Sequence, residues 1–260
     1  MSHLDAVVLG AIAGLTIFIG LPVGRIRGIP PAVRGLLNAV ATGVLIFLLW
    51  DILSHASGPV EASVAALRRG DRSFVLLVLI FAIGLAIGLL SLIYVNGRLF
   101  GRVKNAPAAT PKTLAMMIAT GLGLHNLSEG LAIGQSAATG AIAFALVLVF
   151  GFALHNITEG FGIAAPLALD SNVPSWSFLL TAGLIGGGPT FLGTMIGYVF
   201  TSRAVYVLFL ALAAGALFYV INEMFHLGRR FNSPVLMGWG LLLGFLLAYA
   251  TDLFLTYLAV

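Results

Sequence analysis

The sequence of 260 residues contains no cysteine, and only 8% of its residues are charged. Without cysteine there are no disulfides and no thiolate metal ligands, so a metal site must use histidine nitrogen and carboxylate, amide or hydroxyl oxygen. The scarcity of charge accompanies a hydrophobic content of 60%. A water-soluble domain of this length does not have such a composition, which therefore indicates an integral membrane protein.

Eight apolar segments are each about long enough to cross the ~30 Å hydrocarbon core of a bilayer as a helix. Their apolar residues run continuously, whereas transmembrane strands would need alternating segments of about ten residues. We therefore predict an all-α integral membrane protein, with residues 1–260 forming one domain of eight transmembrane helices. The predicted spans are 4–23, 36–55, 74–95, 114–138, 141–169, 178–200, 205–226 and 235–258.

The basic residues are distributed unevenly between the two sets of connections. Nine Lys and Arg residues follow the first, third, fifth and seventh spans, and four follow the second and sixth. Basic residues concentrate in cytoplasmic loops. We therefore predict that both termini lie outside the cytoplasm.

Two pairs of spans share a sequence pattern. ATGVLIFLLWDILSH in the second span and AAGALFYVINEMFH in the seventh align Asp51 with Glu223, each eight residues after a glycine. The third and eighth spans share G-L-x-x-G, beginning at Gly84 and Gly240. The match between the first and sixth spans is too faint to count. Because the matched spans cross in opposite directions, we predict a 3+2+3 arrangement with inverted repeats, which in transporters surround a site near the bilayer midplane.

A polar motif occurs twice in the middle of apolar spans. GLGLHNLSEGLAIG covers residues 121–134, and FALHNITEGFGIA follows 30 residues later in the fifth span. On a helix His125 and Glu129 are four residues apart and Asn126 and Glu129 three, so the three side chains share one face. The second copy repeats these types at His155, Asn156 and Glu159.

The chemistry of the two motifs favours a divalent metal. An ionised side chain at midspan costs roughly 3 kcal/mol or more if it faces lipid, so two glutamates need a compensating cation. Two carboxylates, two imidazoles and the amide oxygens suit Zn²⁺, Fe²⁺, Mn²⁺, Co²⁺ or Cd²⁺ without distinguishing among them. The alternative is that these groups only join helices through hydrogen bonds. The occurrence of two copies, each with glutamate, favours the metal site.

Four more polar residues lie toward the ends of the repeated spans. On the predicted topology, Asp51 and His55 lie at the outer end of the second span, and Glu223 and His226 lie at the cytoplasmic end of the seventh. We predict that the first pair recruits the ion and that the second pair receives it.

The paired HNLSEG and HNITEG motifs on the fourth and fifth of eight spans, with AAGALFYVINE in the seventh, resemble the ZIP family of divalent-metal transporters in its short bacterial form. The resemblance implies a metal site between these two spans, a homodimer, and alternating access in which spans 1, 4, 5 and 6 slide against spans 2, 3, 7 and 8. The glycine patterns at Gly84 and Gly240 are a hypothesis for the dimer contact. Many members have glutamate where this chain has Gly188, so we expect one metal rather than two.

We therefore predict a transporter that moves Zn²⁺, or another of these divalent ions, into the cytoplasm across the cell membrane. We expect neither covalent catalysis nor a cofactor, and no nucleic-acid partner. One alternative is a carrier of a non-metal solute with carboxylates as a proton relay. The other is a membrane zinc hydrolase, although the H-E-x-x-H pattern typical of zinc hydrolases is absent.

Overall fold

The computed structural model describes residues 2–28, 30–67, 73–100, 110–140, 142–167, 172–199, 202–231 and 233–259, and these residues are mostly helical. The first span consists of α1, α2 and a short 3₁₀ turn at Leu21–Arg25. Helices α3 to α9 correspond in order to the second to eighth spans. The bounds are α1 His3–Leu15, α2 Ile17–Gly20, α3 Pro31–Leu67, α4 Ser73–Phe100, α5 Pro111–Ala138, α6 Ile142–Leu167, α7 Trp176–Val199, α8 Arg203–Gly228 and α9 Pro234–Ala259.

The helices confirm the prediction of an all-α membrane protein. Among the described residues, seven helical stretches are long and apolar enough to cross a membrane, and α5 is not one of them. Helix α5 spans 28 residues but has His125, Asn126 and Glu129 near its middle, which lower its hydropathy. The helix that misses the hydropathy criterion is thus one of the two that carry the polar motif.

Helix α3 is longer than the predicted second span. It continues past residue 55 to Leu67, with Pro59 inside it. Proline in a helix interior removes one backbone hydrogen bond, but the alanine-rich residues after it favour helix. The helix therefore runs beyond the apolar segment that hydropathy alone delimits.

Glycines bring α3 and α9 into backbone contact. A Cβ added at Gly43 would lie 2.2 Å from the carbonyl oxygen of Leu241, and one at Gly244 would lie 2.0 Å from that of Val40. No larger side chain fits at such distances unless the helices separate. A Cβ at Gly240 would likewise lie 2.5 Å from the Cβ of Ala39.

Helices α4 and α8 approach each other in the same way. A Cβ at Gly215 would lie 2.2 Å from the carbonyl oxygen of Leu85, and one at Gly88 would lie 2.1 Å from that of Leu212. A Cβ at Gly84 would lie 2.9 Å from the Cβ of Ala211. Gly84 and its counterpart on α9 are buried by helices of their own chain. The hypothesis that these two glycines form a dimer contact is therefore wrong.

The remaining helices form a second packed group. A Cβ at Gly130 on α5 would lie 2.1 Å from the carbonyl oxygen of Thr190 on α7, and a Cβ at Gly193 would lie 2.1 Å from that of Leu127. The first span packs against α6 in a matching register. There the glycines are Gly20, facing Ile157, and Gly160, facing Ile17. Gly20 in the first span and Gly193 in the sixth thus make equivalent contacts, although the sequences of these two spans show no convincing match.

Candidate metal site

Helices α5 and α6 carry the two polar motifs across the packed interior. Their hydroxyl groups bond within their own helices: Ser128 Oγ donates to the carbonyl of Leu124 at 3.4 Å, and Thr158 Oγ1 donates to that of His155 at 2.7 Å. Five of the six predicted ligands are buried, none more than 5% exposed, and His155 is half-buried. The buried five are His125, Asn126, Glu129, Asn156 and Glu159.

Asn126 joins three helices. Its Nδ2 lies 2.8 Å from Oδ1 of Asn156 and 2.7 Å from Oε2 of Glu159, both on α6. The same nitrogen is 3.0 Å from the carbonyl oxygen of Gly186 on α7. Asn156 instead donates within its own helix, to the carbonyl of Phe152 at 2.8 Å. The structure thus brings the two motifs together, as the sequence predicts, through an amide that serves as donor.

Imidazole and carboxylate groups meet beside this amide. Nε2 of His125 lies 3.2 Å from Oε1 of Glu129 and 3.9 Å from Oε1 of Glu159. Two ligand atoms that each lie about 2.0–2.1 Å from a tetrahedral zinc are roughly 3.3–3.4 Å apart, so these separations are close to ligand spacing. The rings of His125 and His155 are farther apart, with centroids at 6.5 Å.

Several lone-pair atoms of the motifs have no hydrogen-bond partner within the described residues. Among the described residues, the buried atoms without a hydrogen-bond partner include His125 Nδ1 and Nε2, Asn126 Oδ1, Glu129 Oε2, His155 Nε2 and Glu159 Oε1. Each buried, unsatisfied polar atom costs about 1–3 kcal/mol, and more if it is charged. Imidazole nitrogen and carboxylate or amide oxygen are donors that divalent metals accept. The donor set therefore fits a divalent cation.

The described side chains of the two motifs do not form a complete coordination shell for a metal ion. In the part of the chain that the structure describes, no group of three or more histidine or acidic side chains is spaced to hold a metal ion. The Asn126 amide presents its nitrogen to the acceptors around it, and His155 stands apart from His125.

A cavity of about 380 Å³ leads to this cluster. His125, Glu129 and His155 line it, whereas Asn126, Asn156 and Glu159 are not among its lining residues in the described part of the chain. The six predicted ligands are thus divided into three that face the cavity and three that lie behind them.

Asp51 and His55 line the same cavity, as their predicted role requires. Oδ1 of Asp51 lies 3.2 Å from Nδ1 of His55, and the His55 side chain is 60% exposed. The pair therefore marks the mouth of the cavity. Glu223 is half-buried and His226 exposed, and of the described residues neither lines this cavity.

The cavity also contains an acid that the repeat analysis missed. Asp252 on α9 lines it together with Thr256, and Tyr206 on α8 contributes an aromatic wall. The sequence signal was present, because a lone carboxylate in an apolar span indicates function by default. The alignment of Asp51 with Glu223 concerns the second and seventh spans only, and the G-L-x-x-G pattern of the third and eighth spans does not include Asp252. In the part of the chain that the structure describes, the lining residues include three carboxylates and three histidines but neither Lys nor Arg.

Helix α7 contributes a backbone carbonyl to the site. Gly186 supplies the oxygen that faces Asn126, whereas a Cβ at Gly188 would meet no atom of the described chain within 4 Å. Position 188 is glycine and so supplies no carboxylate where the resemblance places a glutamate. The expectation of one metal stays a prediction.

A family model described as ZIP zinc transporter matches residues 101–252. The match covers more than half of the chain and includes both polar motifs and Asp252. No curated protein matches the chain.

Proposed function

Because the chain belongs to the ZIP zinc transporter family, whose members move divalent metal ions across membranes, we propose that it carries Zn²⁺ into the cytoplasm by alternating access. The central site would be formed by the side chains of α5 and α6. His125, Glu129 and His155 face the ion first, and Glu159 lies within reach behind them. Members of this family are transporters rather than enzymes, which disfavours the hydrolase alternative.

The observation that supports this proposal best is the continuity of the cavity. It runs from the exposed His55 past Asp51 and Asp252 to Glu129, with both acid and imidazole along its walls. A path lined by carboxylates attracts cations and raises their local concentration. Of the buried atoms without hydrogen-bond partners, those of His125, Glu129 and His155 belong to residues that line it. A carrier of a non-metal solute could use the carboxylates as a proton relay, but that role would not account for the three histidines that line the same path.

The packing of the helices favours movement of two groups. The first span, α5, α6 and α7 are joined by glycine contacts, and so are α3 with α9 and α4 with α8. We expect the first group to slide as a unit against the second. Within each group, the two pairs of helices make their glycine contacts in the same register. This agreement supports inverted repeats, which make outward-open and inward-open states similar in energy. On the predicted topology, the cavity at Asp51 faces the outside.

Ion release follows from competition for lone pairs. Metal ligands must be deprotonated, so a proton that binds His125 or Glu129 displaces the ion. The released ion would then be received by Glu223 and His226, which lie near the C-terminal end of α8. We further propose that the chain resides in the cell membrane as a homodimer.

The test is metal uptake by purified protein in proteoliposomes that contain a fluorescent indicator. Zn²⁺, Fe²⁺, Mn²⁺, Co²⁺ and Cd²⁺ are added separately, with and without a pH gradient. We expect saturable Zn²⁺ uptake that Glu129→Gln reduces to the level of empty vesicles. Glu61→Gln is the matched control, since Glu61 is exposed on α3 and does not line the cavity. Wild-type uptake in Glu129→Gln would refute the assignment of the central site.

A further inference from the structure

The glycine contacts define which residues of α3 and α8 occupy equivalent positions. Gly43 on α3 and Gly215 on α8 each face a carbonyl of the neighbouring helix, at 2.2 Å from an added Cβ. The carbonyls of Val40 and Leu212 face the partner glycines in the same way. The offset in residue number from Gly43 to Gly215 equals that from Val40 to Leu212. One sequence register therefore aligns α3 with α8 along their shared length.

The register can be applied to the cavity walls. Asp51 of α3 and Leu210 of α8 both line the cavity. Their equivalents on the opposite helix are Glu223 of α8 and Asn38 of α3. On each helix the two positions are 13 residues apart, or about 20 Å along the axis, so the equivalents lie toward the other end of the bundle. A cavity that opened there by the same geometry would be lined by Glu223 and Asn38.

Asn38 has features that packing alone does not explain. It is 1% exposed, and its Nδ2 donates to the carbonyl of Met224, one residue after Glu223, at 3.2 Å. Among the described residues, Oδ1 of Asn38 is buried and has no hydrogen-bond partner. A buried amide oxygen without a partner costs about 1–3 kcal/mol, which an apolar side chain would avoid. The equivalent position on α8 has such an apolar side chain, Leu210.

We propose that Asn38 is a binding residue for the transported cation at the Glu223 end of the path. When this end opens, Oδ1 of Asn38 contacts the hydrated ion, while the bond from Nδ2 to Met224 keeps the amide oriented. This inference rests on the proposed transport function and adds a residue to it. Whereas the other end has the two acids Asp51 and Asp252, the two residues that the register assigns to this end are Asn38, a neutral amide, and Glu223, which is acidic. Such an end releases a divalent cation more readily than one lined by Asp51 and Asp252.

Thiol labelling tests the position of Asn38, because the natural chain contains no cysteine. Asn38→Cys and Leu210→Cys are each prepared in the full chain, reconstituted, and exposed to a membrane-impermeant thiol reagent from one side at a time. We expect Leu210→Cys to react from one side and Asn38→Cys from the opposite side. Bound Zn²⁺ should slow the reaction of Asn38→Cys by at least about threefold through occupancy of the path. Leu45→Cys, a fully buried position on α3, should react from neither side.

Two labelling results would overturn the inference. One is that Asn38→Cys reacts from neither side while Leu210→Cys reacts, since Asn38 would then be a packed interior group. The other is that both react from the same side. These outcomes do not depend on metal uptake, so they are separate from failure of the proposed transport function.

Uptake kinetics provide the second test in case the cysteine variant folds poorly. For Asn38→Ala, we expect the maximal Zn²⁺ uptake rate to fall about five- to tenfold, a cost of roughly 1–1.4 kcal/mol. The dissociation constant of the central site should stay within about twofold of the wild type, because Asn38 donates its hydrogen bond to Met224 of α8 and not to a residue of the polar motifs. Asn38→Asp should bind the ion more tightly at this end and release it more slowly. If the wild type transports Zn²⁺ and Asn38→Ala does so at the same rate, the inference fails and the proposed function stands.

Discussion

Replacing Glu159 by glutamine tests whether the central carboxylates are metal ligands or helix-joining groups. Glu159 is 1% exposed, its Oε2 accepts from Asn126 at 2.7 Å, and its Oε1 has no hydrogen-bond partner among the described residues. Glutamine has the same shape and keeps an oxygen for Asn126, but it cannot carry a negative charge. The substitution therefore removes the charge and leaves the packing.

The expected magnitude follows from the charge. A charged ligand that contributes ~2.7 kcal/mol corresponds to about a 100-fold change in the zinc dissociation constant. At a zinc concentration of about 100 times the wild-type constant, bound zinc stabilises the wild type by about 2.7 kcal/mol and the variant by only about 0.4 kcal/mol. Without metal, Glu159→Gln should be at least as stable as the wild type, because an amide costs less to bury than a carboxylate.

The assay is thermal unfolding of the purified protein in detergent, with chelator or with a series of zinc concentrations. A ligand role for Glu159 requires an unchanged or higher unfolding temperature in chelator and a nearly complete loss of the zinc-dependent shift. Glu61→Gln, on the exposed part of α3, should keep the full shift. The reasoning is refuted if Glu159→Gln is destabilised in chelator yet keeps the wild-type zinc shift, because the carboxylate would then act only as a hydrogen-bond partner of Asn126.

Five further substitutions test the path, the helix packing and the buried amides. Asp252→Asn should raise the apparent KM for Zn²⁺ about three- to tenfold at low ionic strength and less at about 0.5 M salt, as measured by uptake rates, since it removes one of three cavity carboxylates. Gly193→Ala should lower the unfolding temperature, because its Cβ would lie 2.1 Å from a carbonyl oxygen, whereas Gly188→Ala should leave it unchanged or raise it, since its Cβ meets open space. Asn126→Ala should destabilise by about 2–4 kcal/mol in denaturant titrations and Asn156→Ala by about 1–2 kcal/mol, because Asn126 Nδ2 reaches three acceptors and Asn156 Nδ2 one. Equal effects of the members of either pair, or an Asp252→Asn effect that ignores salt, would contradict these explanations.

The sequence predicted the central cluster because its chemistry is local. A helix places residues three and four positions apart on one face, so His125, Asn126 and Glu129 could be grouped without any tertiary information. The repetition of the motif then indicated that two helices meet. Neither argument could show that Asn126 donates to both Asn156 and Glu159, because that choice depends on the relative rotation of α5 and α6.

Other features depend on packing between distant segments. Asp252 has only Tyr249 and Thr256 as polar neighbours at helical spacing, and its span contains no second acid or histidine, so the eighth span has no polar motif like those of the fourth and fifth. The relation between the first and sixth spans rests on Gly20 and Gly193, two glycines whose neighbours differ in sequence but whose backbone contacts match. Close contacts at glycines can keep the same packing of two helices even where the surrounding side chains differ.

The two copies of the motif are alike in sequence and unequal in the structure. The Asn126 amide donates hydrogen bonds that join α5 to α6 and α7. The Asn156 amide donates instead to the carbonyl of Phe152 in its own helix. If the helices rearranged individually between the two states of the carrier, inverted symmetry would make the two asparagines exchange these roles. The bonds of Asn126 lie entirely within the group formed by the first span, α5, α6 and α7, and sliding that group as a unit breaks none of them. Exchange of these roles would break the bonds of Asn126, whereas the group movement proposed above keeps them, with the proposed ion site moving past the walls formed by α3, α8 and α9.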